Sequence, residues 1–141
     1  MNKRDFICVS IAGAAGALFV PRKLMADVAT ALDTKLAGGV YHTATALGRW
    51  NRALADAHLA EFEKTKGKLH VVSHHPMKSY DHYIIKHQLL DSNFDFITEH
   101  SYNPKAVKTP ETTFELGGRS GIVYVMTICN VHDVWVNATE L

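Results

Sequence analysis

Gly121-Ile122-Val123-Tyr124-Val125-Met126-Thr127-Ile128-Cys129, followed at once by Asn130-Val131-His132 and then by Val134-Trp135-Val136-Asn137-Ala138-Thr139, is the stretch that decides the fold. β-Branched and aromatic residues dominate both halves, and such side chains favour the pleated, half-buried surface of a sheet. Period-two alternation places Ile122, Tyr124, Met126 and Ile128 on one side of the first strand. The few residues between Cys129 and Val134 leave room only for a tight turn, so the two halves read as consecutive strands. Outward from this pair the pattern repeats. His82 to Leu90 alternates, with Tyr83, Ile85, His87 and Leu89 on the more apolar face. Asp91-Ser92-Asn93 is a turn signal, and Phe94 to Tyr102 is the return strand of a hairpin. Asn103-Pro104 and Thr109-Pro110 punctuate a loop. Thr112 to Leu116 is a further strand ended by Gly117-Gly118, and Lys68 to Ser73 is another. Six short strands with regular turn signals predict an all-β fold, an antiparallel sandwich. Residues 43–63 are ambiguous, with helix-favouring Ala and Leu approached through Gly38-Gly39 and Gly48.

The chain has 141 residues, 47% hydrophobic and 21% charged, which is the content of one globular domain and excludes a disordered or low-complexity chain. A formal charge of +1 gives no reason to expect nucleic acid or an anionic membrane as partner. Nine His stand against two Cys, at positions 8 and 129. Two thiols cannot build a disulfide framework or a four-Cys metal site, so His must supply most ligands of any metal held here.

The amino terminus differs from the rest. Lys3 and Arg4 precede an apolar run from Phe6 to Val20, too short for a membrane span and suited to the central region of an export signal. Residues 1–26 are expected to be a cleaved signal, cut after residue 26 or 31. Lys3-Arg4-Asp5-Phe6-Ile7 resembles a twin-arginine signal with Lys in place of the first Arg; a general secretory signal, a retained anchor and a buried helix are the alternatives. The expected location is periplasmic or otherwise exported. Lys3, Arg4, Arg22 and Lys23 would leave with the leader, as would Asp5, turning the remaining domain slightly acidic. Cys8 would leave too. Cys129 would remain as a lone thiol: a buried apolar residue, a reactive group or a metal ligand.

Two clusters can carry chemistry. Cys129-Asn130-Val131-His132 can place a thiolate and an imidazole on one side of a bend, or leave a buried Cys beside a surface His. His74-His75-Pro76-Met77, with Asp81-His82-Tyr83-Ile84 beyond it, is a loop with His at both ends, since Pro76 favours a turn over continued strand. It can hold two imidazoles around one ion, or be a polar turn with solvated His.

His75-Pro76-Met77, then His82-Tyr83-Ile84, then Cys129-Asn130-Val131-His132 with Trp135 beyond, resembles the superoxide reductase family, also called neelaredoxin or the iron domain of desulfoferrodoxin. The resemblance covers residues 36–141. It implies an immunoglobulin-like antiparallel β-sandwich, and one mononuclear non-haem iron held by four equatorial His and an axial Cys thiolate. Carried over residue by residue, the ligands are His58, His75, His82 and His132, with Cys129 axial. His58 lies 17 residues before His75, close to the interval in exported members, and Gly48-Arg49-Trp50 also resembles those members. His70 and, more weakly, His42 are stand-ins for His58. The remaining His74, His87 and His100 read as surface or core polar residues.

The chain departs from the family pattern in three places. The interval from His75 to His82 is seven residues where the family usually has six, so the loop Lys78-Ser79-Tyr80-Asp81 must bulge. Asp56-Ala57 precedes the loop His where the family often has Glu-Lys, a lysine linked to drawing superoxide in and to protonation; this bears on turnover more than on metal binding. Lys78 is the candidate substitute charge. There are also too few Cys for the additional four-Cys iron module of many members.

The implied activity is reduction of superoxide to hydrogen peroxide, which needs one electron, two protons and an open metal position. Neutral imidazoles suit iron, and a thiolate donates electron density along its axis. The electron must come from a small donor protein or reductant, and a homo-oligomer is possible. Backbone N–H groups of Val131 and His132 are expected near the sulfur. The alternative is a non-enzymatic iron-binding or redox-accessory protein of the same fold. A blue-copper site would want a Met just beyond His132, and none is there. Five ligands exceed the usual four of structural zinc.

Overall fold

The structure, a computed structural model, describes residues 35–141. The expected leader and its cleavage site lie outside the described residues. Among the described residues, one short helix, α1 (Arg52–His58), is followed by seven strands: β1 (Glu61–Thr65), β2 (Lys68–Val72), β3 (Ile84–Leu90), β4 (Phe96–Ser101), β5 (Glu111–Glu115), β6 (Ile122–Cys129) and β7 (Val134–Glu140). They form a three-stranded sheet, β1-β2-β5, and a four-stranded sheet, β4-β3-β6-β7. Every pairing within them is antiparallel. This is the expected two-sheet sandwich.

Alternation sets what faces inward. Leu69 and Val71 of β2, Phe114 of β5, Leu89 of β3 and Val123 and Val125 of β6 meet between the sheets, with Ala60 and Leu116 at the margins. The side of β6 carrying Ile122, Tyr124 and Met126 packs instead in an outer cluster with Leu90 and Val136. At the far end of β6 the inward series continues to Thr127 and Cys129, both buried. The strand therefore delivers its thiol to the end of the core.

Two elements differ from expectation. The apolar face of β3 does not run in simple alternation, because Ile84 pairs with Cys129 and Lys86 with the adjacent Ile128, which leaves Ile85 as an extra residue. Such a bulge re-aims the side chains before it, so Ile84 rather than Ile85 is fully buried beside Cys129. A seventh strand, β1, comes from the end of the ambiguous segment. Glu61-Phe62-Glu63-Lys64-Thr65 is mostly exposed, and charges along an edge strand mask strand periodicity while protecting the edge.

Candidate metal centre

The five donors come from three regions that the fold gathers at one end of the sandwich. α1 begins at Asn51, whose side-chain oxygen caps it by accepting the Leu54 N–H at 3.0 Å, and ends at His58. Ala55 and His58, three apart on one face, are its buried residues. The His58 Nδ1–H donates to the Leu54 carbonyl one turn back at 2.7 Å. A carbonyl can only accept, so the proton sits on Nδ1 and Nε2 presents a lone pair to the cluster.

His75 and His82 flank the loop between β2 and β3. Ser79 and His82 form an isolated antiparallel bridge, and Ser79 Oγ accepts the Asp81 N–H while donating to its carboxylate. This turn absorbs the long interval and brings the two imidazoles to 2.9 Å, Nε2 to Nε2. Asn130 fastens the same loop: its side chain accepts the Tyr83 N–H and donates to the carbonyls of Tyr80 and Asp81. Cys129 N–H donates to the Asp133 carbonyl, closing the turn that carries His132. Asp133 sits at φ +65°, a left-handed conformation that Asp tolerates better than most residues.

The four imidazole donors form a ring. His82 Nε2 is 3.0 Å from His132 Nδ1, which is 3.2 Å from His58 Nε2. Around the circuit 58–75–82–132 the ring centroids are 4.6, 4.5, 4.6 and 4.9 Å apart and neighbouring planes cross at 69–89°. Cys129 Sγ lies 3.9 Å from His75 Nε2 and 3.8 Å from His132 Nδ1, equidistant from two opposite corners. All five donor atoms fall within 4.8 Å of one another. A metal–nitrogen bond of about 2.1 Å puts neighbouring corners of a square about 3.0 Å apart, which is the spacing found. The four nitrogens and the sulfur could together hold one metal ion, and imidazole with thiolate suits iron.

The electrostatics favour neutral imidazoles. Burial pushes the pKa of His58 and His75 down to about 4, and the neighbouring imidazoles add to the effect. Burial also lowers that of His132, as does His82. The Cys129 thiol is pushed up by burial among Met77, Ile84 and Tyr102, against the opposing pull of the Val131 and His132 backbone. The Val131 N–H points at the sulfur from 3.5 Å, so the expected backbone contact is present. A bound cation would supply the charge that turns this thiol into a thiolate. His58, His75 and Cys129 are buried, whereas His82 and His132 are partly exposed, so the ring opens to solvent along one edge.

Trp135 is fully buried, stacks on His58 with centroids 5.5 Å apart, and donates its indole N–H to the His132 carbonyl. The stand-ins for His58 lie elsewhere. His70 is on the outer face of β2 beside Thr113, and His74 pairs with Glu61. His42 is buried next to Trp135 and bonds Asp133. Lys78 is exposed on the loop between His75 and His82. His87 is a buried polar core residue between Tyr102 and Ser73, and His100 lies edge-on to Tyr102 near the surface. Sequence reading missed Asp133 and its contacts with His42, Arg49 and Trp50. Those partners are 83 to 91 residues away, and no local motif joins them.

No protein-family profile matches the chain, and no curated protein matches it. Solved structures do. A superoxide reductase (neelaredoxin) from Ignicoccus hospitalis is 18% identical, covers 74% of this chain and 95% of its own, and superposes with a TM-score of 0.59. A point variant of that protein gives 0.58 at 19% identity, covering 74% and 94%. A superoxide reductase (1Fe-SOR) from Giardia intestinalis is 19% identical, covers 61% of this chain and 99% of its own, with a TM-score of 0.51. With two antiparallel sheets and the cluster of four His and one Cys at one end, the chain has the fold of the superoxide reductases.

Proposed function

We propose that the chain is a superoxide reductase, holding one iron through His58, His75, His82, His132 and Cys129 and reducing superoxide to hydrogen peroxide. The observation that carries this reading is the four-nitrogen ring with a sulfur equidistant from two opposite corners. When bound, the iron supplies one electron to superoxide, and two protons complete hydrogen peroxide. The chain's own residues do the rest. Four neutral imidazoles and one thiolate carry a single negative charge, so a ferrous site stays net positive and attracts an anion. The buried sulfur lies toward the core, and the partly exposed His82–His132 edge leaves the other side to solvent, where small anions and protons would arrive. Cys129, as a thiolate, would donate electron density to an iron held there. Turnover would draw one electron per superoxide from an external donor, a small redox protein or low-molecular-weight reductant, and the twin-arginine-like leader would export the domain.

A second reading, an iron-binding module without turnover, is favoured by Ala57 standing where a lysine would be and by Lys78 lying exposed on its loop. Iron loading tests the site itself. One iron per chain and a visible thiolate-to-Fe³⁺ band after oxidation support it; a colourless oxidised protein, or iron retained unchanged in Cys129→Ser, removes the assignment.

A further inference from the structure

Asp133 follows the candidate ligand His132 directly, yet its carboxylate serves a distant part of the chain. Oδ2 accepts from the Trp50 indole N–H at 3.1 Å and lies 3.2 Å from His42 Nε2. Arg49 donates to both carboxylate oxygens, at 3.0 and 3.1 Å. Trp50 then meets the His132 ring edge-on, centroids 5.0 Å apart, and the Arg49 guanidinium lies over the Trp50 ring at 4.5 Å. The arm is fastened to β7 as well: His42 N–H donates to Val134 O, and Val136 N–H to His42 O. Its tip is tight, since a Cβ on Gly48, at φ +57°, would strike the Gly38 carbonyl and His42 Cε1. Trp50 is followed at once by Asn51, the cap of α1, and α1 ends in His58.

We infer that Asp133 is a positioning residue, a latch that holds the arm 42–50, and through it the His58 helix, against His132. This rests on the reading of the five donors as one metal site. His58 and His132 are 74 residues apart in sequence, and their donor atoms form the widest of the three measured sides of the ring at 3.2 Å. The Leu54 carbonyl orients the His58 ring, but it belongs to the same helix and cannot hold that helix in place. Asp133 supplies the cross-link: one carboxylate, set by the turn that sets His132, takes three side chains from the segment leading into α1. An exposed Arg–Asp pair alone contributes little. The Trp50 and His42 bonds are the sheltered part of the latch: Trp50 packs against His132, and buried His42 against Trp50 and Trp135.

Two variants separate positioning from stability. Asp133→Asn tolerates the left-handed backbone but loses the charge and one acceptor oxygen; Asp133→Gly relieves the backbone and removes the latch. In the metal-free protein, amide hydrogen exchange across residues 44–58 is expected to rise about tenfold or more in both variants, with β2 and β3 unchanged. With Co²⁺ bound, release to a chelator is expected to accelerate about 10–100-fold, the usual cost of losing an outer hydrogen-bond partner. Placed in a His58→Ala background, Asp133→Asn should then accelerate release no further, because the ligand it positions is gone. Unchanged exchange over 44–58 would overturn the latch, as would equal acceleration with and without His58. The exchange measurement needs no metal, so it decides the latch even if the cluster proves to bind none.

Discussion

Asn130 and Tyr83 are joined twice: the Asn130 N–H donates to the Tyr83 carbonyl at 3.2 Å, and the Tyr83 N–H donates to the Asn130 side-chain oxygen at 2.8 Å. With its amide nitrogen on the carbonyls of Tyr80 and Asp81, this one side chain ties the turn bearing Cys129 and His132 to the loop bearing His82. Asn130→Ala removes three hydrogen bonds that bridge the two loops bearing candidate ligands. A net of about 1 kcal/mol each predicts a loss of about 2–3 kcal/mol in unfolding free energy. Denaturant titration of the metal-free protein checks the stability, and metal affinity should fall with it. Asn130→Asp keeps the acceptor for Tyr83 N–H but turns an oxygen toward the carbonyls of Tyr80 and Asp81, so it should cost at least as much.

Trp135 is both core and support. Trp135→Ala opens a cavity under His58 and frees the His132 carbonyl, predicting a loss of about 3–5 kcal/mol. Trp135→Phe refills most of the volume without the indole donor and should recover the larger part. Thermal or urea unfolding of the two variants separates the packing term from the hydrogen bond.

The buried pair of Tyr102 and His87 predicts an acid limb in the stability curve. Ser73 Oγ lies 3.2 Å from the His58 carbonyl and is placed to donate to it. The His87 Nε2–H can then donate to Ser73, leaving Nδ1 to accept from Tyr102. Burial, together with His100 nearby, lowers the His87 pKa to about 3. An unfolded His takes up its proton near pH 6.5. The folded pKa is depressed, so this contribution is fully present above pH 6.5 and is lost as the pH falls toward 3. The wild-type protein should lose stability faster than His87→Gln over that range, by up to about 1.4 kcal/mol per pH unit. Parallel curves from chemical denaturation between pH 7 and 4 would refute it.

Replacement of the other histidines tests the ligand set. His70→Ala and His74→Ala alter surface positions on or beside β2 and should leave metal stoichiometry unchanged. His58→Ala, His75→Ala and His82→Ala should each weaken metal retention by at least about tenfold. Metal analysis after dialysis against a weak chelator reads both classes in one experiment.

Much of this was legible in sequence because it is local. Cys129 and His132 share one tight turn, His75 and His82 one loop, and β6 shows its period in eight residues. His58 was reachable only through family resemblance, since nothing local in Asp56-Ala57-His58 marks a ligand. Other features depend on contacts with no local signature. The Ile85 bulge is set by pairing with β6, and β1 hides its strand character under edge charges. Asp133 reads as an ordinary turn residue until the arm carrying His42, Arg49 and Trp50 folds back on it. His87 sits on the apolar face of β3 as expected, but its partners, Ser73 and Tyr102, are 14 and 15 residues away.

The most direct test of the central claim is to generate a pulse of superoxide over the reduced, iron-loaded protein and follow superoxide and the visible spectrum together. The account predicts that superoxide disappears far faster than in buffer, with hydrogen peroxide formed and a thiolate-to-Fe³⁺ band rising in step, and that Cys129→Ser abolishes the band. Superoxide decaying at the buffer rate beside the reduced iron protein would contradict it.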